Sequence, residues 1–147
     1  MNNDQAAPET KGVTVELLAT IDLGPEIEGM AGRQLRMRRF TIEPGGVFGP
    51  IHDHRGRPGI VYIVQGVITD HRNGVATDYG PGVGWPEDRH TTHWLENRGT
   101  IPAVEGSVDL AAQAARPNRP VPLPSIPYRG ILHPMISANA RKGGKPQ

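Results

Sequence analysis

Short runs of β-branched and apolar residues recur through the first 110 residues, broken every few positions by Gly, Pro, Asn or Asp. Such runs read as strands bounded by turns. Val13 to Ala19 predicts a first strand, and a loop follows over residues 22–32, where Gly24, Pro25, Gly29 and Gly32 cluster. Arg33 to Glu43 predicts a longer strand. Within it Leu35 and Met37 share one parity, Phe40 and Ile42 the other. That phase slip reads either as a β-bulge near Arg38 and Arg39 or as a strand with both faces partly buried. Pro44-Gly45-Gly46 reads as a turn. Ile60 to Gln65 is the clearest strand in the chain, apolar and short. Val67–His71 and Val75–Tyr79 flank Asn73-Gly74, a strong hairpin signal. Gly80-Pro81-Gly82 turns again, Thr91–Leu95 is extended, and Ile101–Leu110 supplies a closing strand.

The pattern predicts an all-β domain, a small antiparallel sandwich or barrel over residues 13–110. Residues 1–12 read as a disordered lead. From Ala111 the character changes, with prolines at 117, 120, 122, 124 and 127 that suit extended chain and exclude a central strand or helix. Residues 111–147 therefore read as a Pro-rich basic tail, extended or disordered.

Composition agrees: 19 Gly and 15 Pro among 147 residues favour a turn-rich β protein. Formal net charge is +1, but no acidic residue follows Asp109 while Arg116, Arg119, Arg129, Arg141, Lys142 and Lys145 do. The acidic domain offers no phosphate footprint, so nucleic acid is not an expected partner. There is no cysteine, which excludes disulfides, thiolate metal sites and cysteine nucleophiles. No stretch approaches the roughly 18 apolar residues of a membrane span. With no leader visible in the polar start, a cytoplasmic location is the expectation.

The candidate chemistry is histidine. His52-Asp53-His54 on an extended strand places two imidazoles on one face. His93 lies about forty residues on, across a turn-rich stretch that can fold a third imidazole back toward them. Three neutral nitrogen ligands could grip one divalent metal and leave positions open, which suits catalysis or ligand binding.

Those residues resemble the two metal motifs of the cupin superfamily. The first motif runs Gly, five residues, His-x-His, three or four residues, Glu, six residues, Gly. Here it reads Gly46, His52-Asp53-His54, Gly59 and Gly66, with Gly59 standing where the family has glutamate. The second runs Gly, five residues, Pro-x-Gly, two residues, His, three residues, Asn. Here it reads Gly82, Asp88-Arg89-His90, His93 and Asn97. The resemblance covers roughly residues 33 to 110. It implies a single-domain jelly-roll β-barrel, a homodimer, and a small-molecule substrate or ligand. It also implies a metal on His52, His54 and His93, without the usual carboxylate. Three-His relatives such as thiol and diketone dioxygenases make an oxygenase with Fe2+ the leading expectation. Imidazoles suit Zn, Mn, Ni or Cu as well. A non-catalytic cupin that binds a metabolite, and a metal-dependent isomerase or lyase, are the alternatives.

Other polar residues are weaker candidates. His90 differs in parity from His93 and is expected to point away. His71 reads as an exposed or core histidine. Gln65 could line the cavity or support the hairpin. Glu87 and Asp88 could orient an imidazole or form a solvated turn. Tyr62 is expected outside the barrel, while Trp85 and Trp94 close it or fill a subunit contact.

Overall fold

In a computed structural model, residues 7–114 are described. The expectations for residues 1–6 and for the tail beyond residue 114 fall outside them. Eight strands make up the domain: β1 (Lys11–Asp22), β2 (Arg33–Asp53), β3 (Gly59–Gln65), β4 (Ile68–Arg72), β5 (Val75–Tyr79), β6 (Gly84–Glu87), β7 (Thr92–Glu96) and β8 (Ala103–Ala112). None of the described residues is helical, and no helix is long and apolar enough to cross a membrane. The β4–β5 hairpin forms around Asn73 and Gly74, both at positive φ, as a two-residue loop matched to strand twist requires.

All pairings are antiparallel. The sheet runs β5-β4-β7-β2-β8-β3-β6, with β1 paired to the first half of β2. The two ends of that order, β5 and β6, come together: Tyr79 stacks on Trp85 at 4.7 Å. The sheet is therefore curled into a jelly-roll barrel, not laid flat. Inside, Ile42, Val61, Ile63, Ile68, Trp85, Leu95 and Ala103 form the apolar core, with Phe48 and Tyr79 packed against it.

Three elements differ from expectation. The Pro44-Gly45-Gly46 stretch does not end a strand; β2 continues through it to Asp53. Its first half pairs with β1 and β8, its second with β7. A kink at Gly45 (φ +73°) turns it from one to the other. A side chain at Gly46 would collide with the carbonyls of Glu43 and Gly12 at 2.7 and 2.8 Å. Asn97 clamps the kink, its buried amide donating to Ile42 O and Ile101 O, both at 2.8 Å. Second, β2 has no bulge at Arg38 and Arg39, since its register with β8 is unbroken from Arg33 to Ile42. The irregularity lies opposite, on β1 between Leu17 and Ala19. The apolar phase slips because Arg36 and Arg38 share the inward parity of Phe40 and Ile42. Third, the expected closing strand runs from Ala103 to Ala112 instead of Ile101 to Leu110, and it lies between β2 and β3.

Candidate metal centre

His52 lies at the end of β2 and His54 one residue past it, where the extended chain's period 2 sends both rings inward with centroids 5.3 Å apart. Asp53 between them faces out and accepts the Arg55 N–H at 3.0 Å. His93 arrives on β7 as the direct cross-strand partner of His52. Its ring lies 4.8 Å from that of His52 and 5.0 Å from that of His54. One nitrogen from each ring lies within 4.8 Å of the other two. Sequence spacing thus foresaw the convergence, and the ladder between β2 and β7 explains it.

The other nitrogen of each ring faces an oxygen. His93 Nδ1 lies 2.9 Å from Asp70 Oδ1. His52 Nδ1 lies 3.2 Å from Pro50 O. His54 Nδ1 lies 3.1 Å from Glu87 Oε2, off the line of a good hydrogen bond. Acceptors at Nδ1 place the proton there, by inference from the partners, and leave Nε2 as the lone-pair nitrogen. His54 Nε2 and His93 Nε2 then face each other at 3.0 Å. Two ligands about 2.0–2.1 Å from a shared ion stand roughly 3.0–3.4 Å apart, so this pair fits a cation, as the donor set itself does.

Electrostatics favour neutral rings. Burial, then His93 and Arg57, push His54 down to about 4. Burial, then His93, also lower His52. A carboxylate does reach the cluster, but from an unexpected strand. Glu87 on β6 is the cross-strand partner of Gly59, the position where the family motif has glutamate. It is buried, with Oε1 3.4 Å from His93 Nε2. Burial pushes it above the usual carboxylate range, against the pull of His93.

The chamber around the cluster is polar. Five buried side-chain atoms have no hydrogen-bond partner among the described residues: Arg38 Nε, His54 Nδ1, Arg72 Nη2, Trp85 Nε1 and Glu105 Oε2. All belong to inward-facing positions, and such unanswered groups suit water, an ion or a polar ligand.

The remaining candidates fall elsewhere. His90 is exposed. His71 stacks on Trp94 at 3.6 Å and pairs with Glu96 at 2.7 Å. The register break between Ile63 and Gln65 turns Gln65 outward, where its amide donates to Pro102 O at 2.9 Å. Asp88 caps its own turn, accepting from His90 N at 2.8 Å. Tyr62 is exposed on the outer face, and Trp85 is buried in the core. Asp70 went unremarked in the sequence reading. Its signal was parity, since it shares a face with the buried Ile68 on β4.

A family model described as a cupin domain matches residues 38–107. No curated protein matches the chain. Three solved structures have a similar fold. The polyketide cyclase RemF from Streptomyces resistomycificus has TM-score 0.55 and 20% identity over 71% of this chain and 68% of that one. KdgF from Halomonas sp. has 0.53 and 19% over 74% and 91%. The cupin domain of an XRE family transcriptional regulator from Enterobacter cloacae has 0.51 and 17% over 67% and 96%. At such identities the likeness is one of fold, shared here by a cyclase and a regulator's domain.

Proposed function

We propose, from the match of residues 38–107 to a cupin-domain family model and from the cupin-like fold, that the chain is a metal-dependent enzyme, of oxygenase type, acting on a small organic molecule. The observation that carries this reading is the opposed Nε2 pair of His54 and His93 at 3.0 Å. With both Nδ1 atoms facing carboxylates, the tautomer that carries its proton at Nδ1 leaves each Nε2 lone pair for a cation. His52 completes the set from the half-buried side. A divalent ion, Fe2+ first and Zn, Mn, Ni or Cu as alternatives, supplies Lewis acidity toward chelating donors and, if iron, one-electron chemistry with dioxygen. The protein's part is to hold three neutral imidazoles, fix the ring of His93 through Asp70, and keep Glu87 beside the site. Phe48, 4.9 Å from the His52 ring, shields that ring from solvent.

Elemental analysis of wild type and His52→Ala tests the centre, with about one metal per chain expected in the first and less in the second. Oxygen uptake by iron-loaded protein with chelating organic acids tests the reaction. Bound metal and a ligand-induced rise in Tm without turnover would make it a binding module instead.

A homodimer belongs to the same proposal. The outer face of β1, β2 and β3 exposes Leu18, Met37, Ile60, Tyr62 and Val64, with Ile60 66% and Val64 58% accessible. It carries a groove of about 510 Å³ between Thr14, Met37, Thr41, Val64 and Val104. So many exposed apolar side chains around one groove, with the Arg39–Glu16 ion pair among them, mark an interaction surface. Light scattering should give twice the 15.9 kDa chain mass, and a monomer with Val64→Lys.

A further inference from the structure

The histidine centre leaves a second polar cluster without a role. Glu87, Gly59 and Asp109 are successive cross-strand partners on β6, β3 and β8. Directly opposed residues share one face of a sheet, so Asp109 points into the same chamber as Glu87. It is buried and gathers three guanidiniums. Arg36 donates through Nε at 3.0 Å and Nη2 at 2.7 Å, Arg38 through Nη2 at 2.9 Å, and Arg57 through Nη1 at 3.2 Å. Burial alone would raise the Asp109 carboxyl; the Arg36 hydrogen bond, the charges of Arg38 and Arg36 and the Arg57 hydrogen bond hold it below the usual range. One anion thus faces three cations.

Nearby acids do not redress the excess. Asp70 takes Arg72 at 2.6 Å. Glu87 is turned to the histidines. Burial, then the charge of Glu87, push Glu105 up to about 8, against the pull of Arg38. Holding one buried carboxylate does not require three arginines, and Arg38 Nε is buried without a partner. Arg36 and Arg57 keep 23% and 33% of their side chains accessible, so the cluster opens to solvent. Between it and Glu87 lies Gly59, where the strands pack closely: a Cβ there would press on Val108 O and Asp109 Cβ at 3.0 and 3.1 Å.

We propose that Arg38 and Arg57 form an anion subsite for the carboxylate of a small organic acid, which presents oxygen donors at its other end to His52, His54 and His93. Asp109 positions the forks, leaving their remaining N–H groups for the ligand; planar guanidinium matches planar carboxylate. Two ladder spacings, about 10 Å of backbone in all, separate Glu87 from Asp109, so a chain of a few carbons with two acidic ends suits the span. The far end of this ligand rests on the proposed metal, whereas the arginine end does not.

The test is calorimetry on the zinc-loaded full chain with malonate, succinate and glutarate, their dimethyl esters, and inorganic phosphate. Azide binding to cobalt-loaded protein reports on the metal alone. A dicarboxylate should bind best and its diester not at all. Arg38→Gln and Arg57→Gln should each weaken dicarboxylate at least tenfold, with metal stoichiometry and azide affinity kept, and Arg57→Lys should restore part of the loss. Unchanged dicarboxylate affinity in both Gln variants overturns the subsite, as does equal binding of the diesters. Tighter binding of phosphate than of any dicarboxylate overturns the carboxylate class. Should Arg38→Gln fail to fold, the Arg57 variants decide, because Arg36 and Arg38 still hold Asp109. If wild type takes up no metal, the oxygenase reading falls. The same titrations on metal-free protein then decide the subsite by whether binding depends on Arg57.

Discussion

Asp70 shows how much of the centre is set by residues that touch no ligand. One of its oxygens fixes the ring of His93 at 2.9 Å, and the other takes Arg72 at 2.6 Å. Carboxylates in this position typically matter 10–100-fold in metal affinity. Asp70→Asn should weaken metal binding by about that factor in competition with a chromophoric chelator, and an unchanged affinity would remove Asp70 from the site. Proton competition gives a second expectation. With His54 at about 4 and His52 lowered, His54 releases no proton to an entering metal between pH 6.5 and 5. The affinity should therefore fall with a slope below two protons per metal, where three ordinary imidazoles approach three at the acid end of that window. A slope of three would show that the rings are not desolvated. At this scale the histidines were legible, because period 2 places the pair and a turn-rich stretch returns the third. Glu87 was read as at least as much turn as site. Its burial depends on pairing with Gly59, a contact between strands that spacing along the chain does not reveal.

β2 is the element that makes the site possible. Its first half carries Arg36 and Arg38, its second His52 with His54 just past its end, and the kink between them lets one strand serve both parts of the barrel. Asn97 holds that kink through two side-chain donations and accepts the Gly99 N–H at 2.8 Å. Asn97→Ala leaves buried backbone groups unpaired at about 1–3 kcal/mol each. A loss of about 3 kcal/mol in urea denaturation is expected, and less than 1 would mean that water replaces the amide. Most strands were visible in the sequence, yet the unity of β2 was not. Pro44-Gly45-Gly46 has the composition of a turn, and only the backbone bonds to Asn97 (Gly45 N to Asn97 O, 2.8 Å; Asn97 N to Gly46 O, 3.0 Å) keep it in the sheet. The apparent slip in RQLRMRRF has a related origin. Reading apolar residues as inward fails where the inward positions are arginines paired to a buried aspartate.

For the molecule as a whole, the interior charge makes stability depend on pH. Glu105 is buried and pushed up to about 8 from 4.5, by burial first and Glu87 next. The folded state therefore keeps a proton that the unfolded chain releases between those values. Stability from this group is full below pH 4.5 and is lost as pH rises toward 8. In metal-free protein the wild type should lose on the order of a few kcal/mol across that window relative to Glu105→Gln. A constant difference between the two urea midpoints would place Glu105 outside the effect.

The order of strands bears on how the chain matures. β8 is the last made of the described strands, yet it lies between β2 and β3, with Leu35 paired to Leu110. Until it emerges from the ribosome, the ladders available form two unconnected pieces, β1-β2-β7-β4-β5 and β3-β6. Such distant pairings are slow to close. The imidazoles all sit on the first piece and Glu87 on the second, so a nascent chain can collect its histidines before the carboxylate is brought to them.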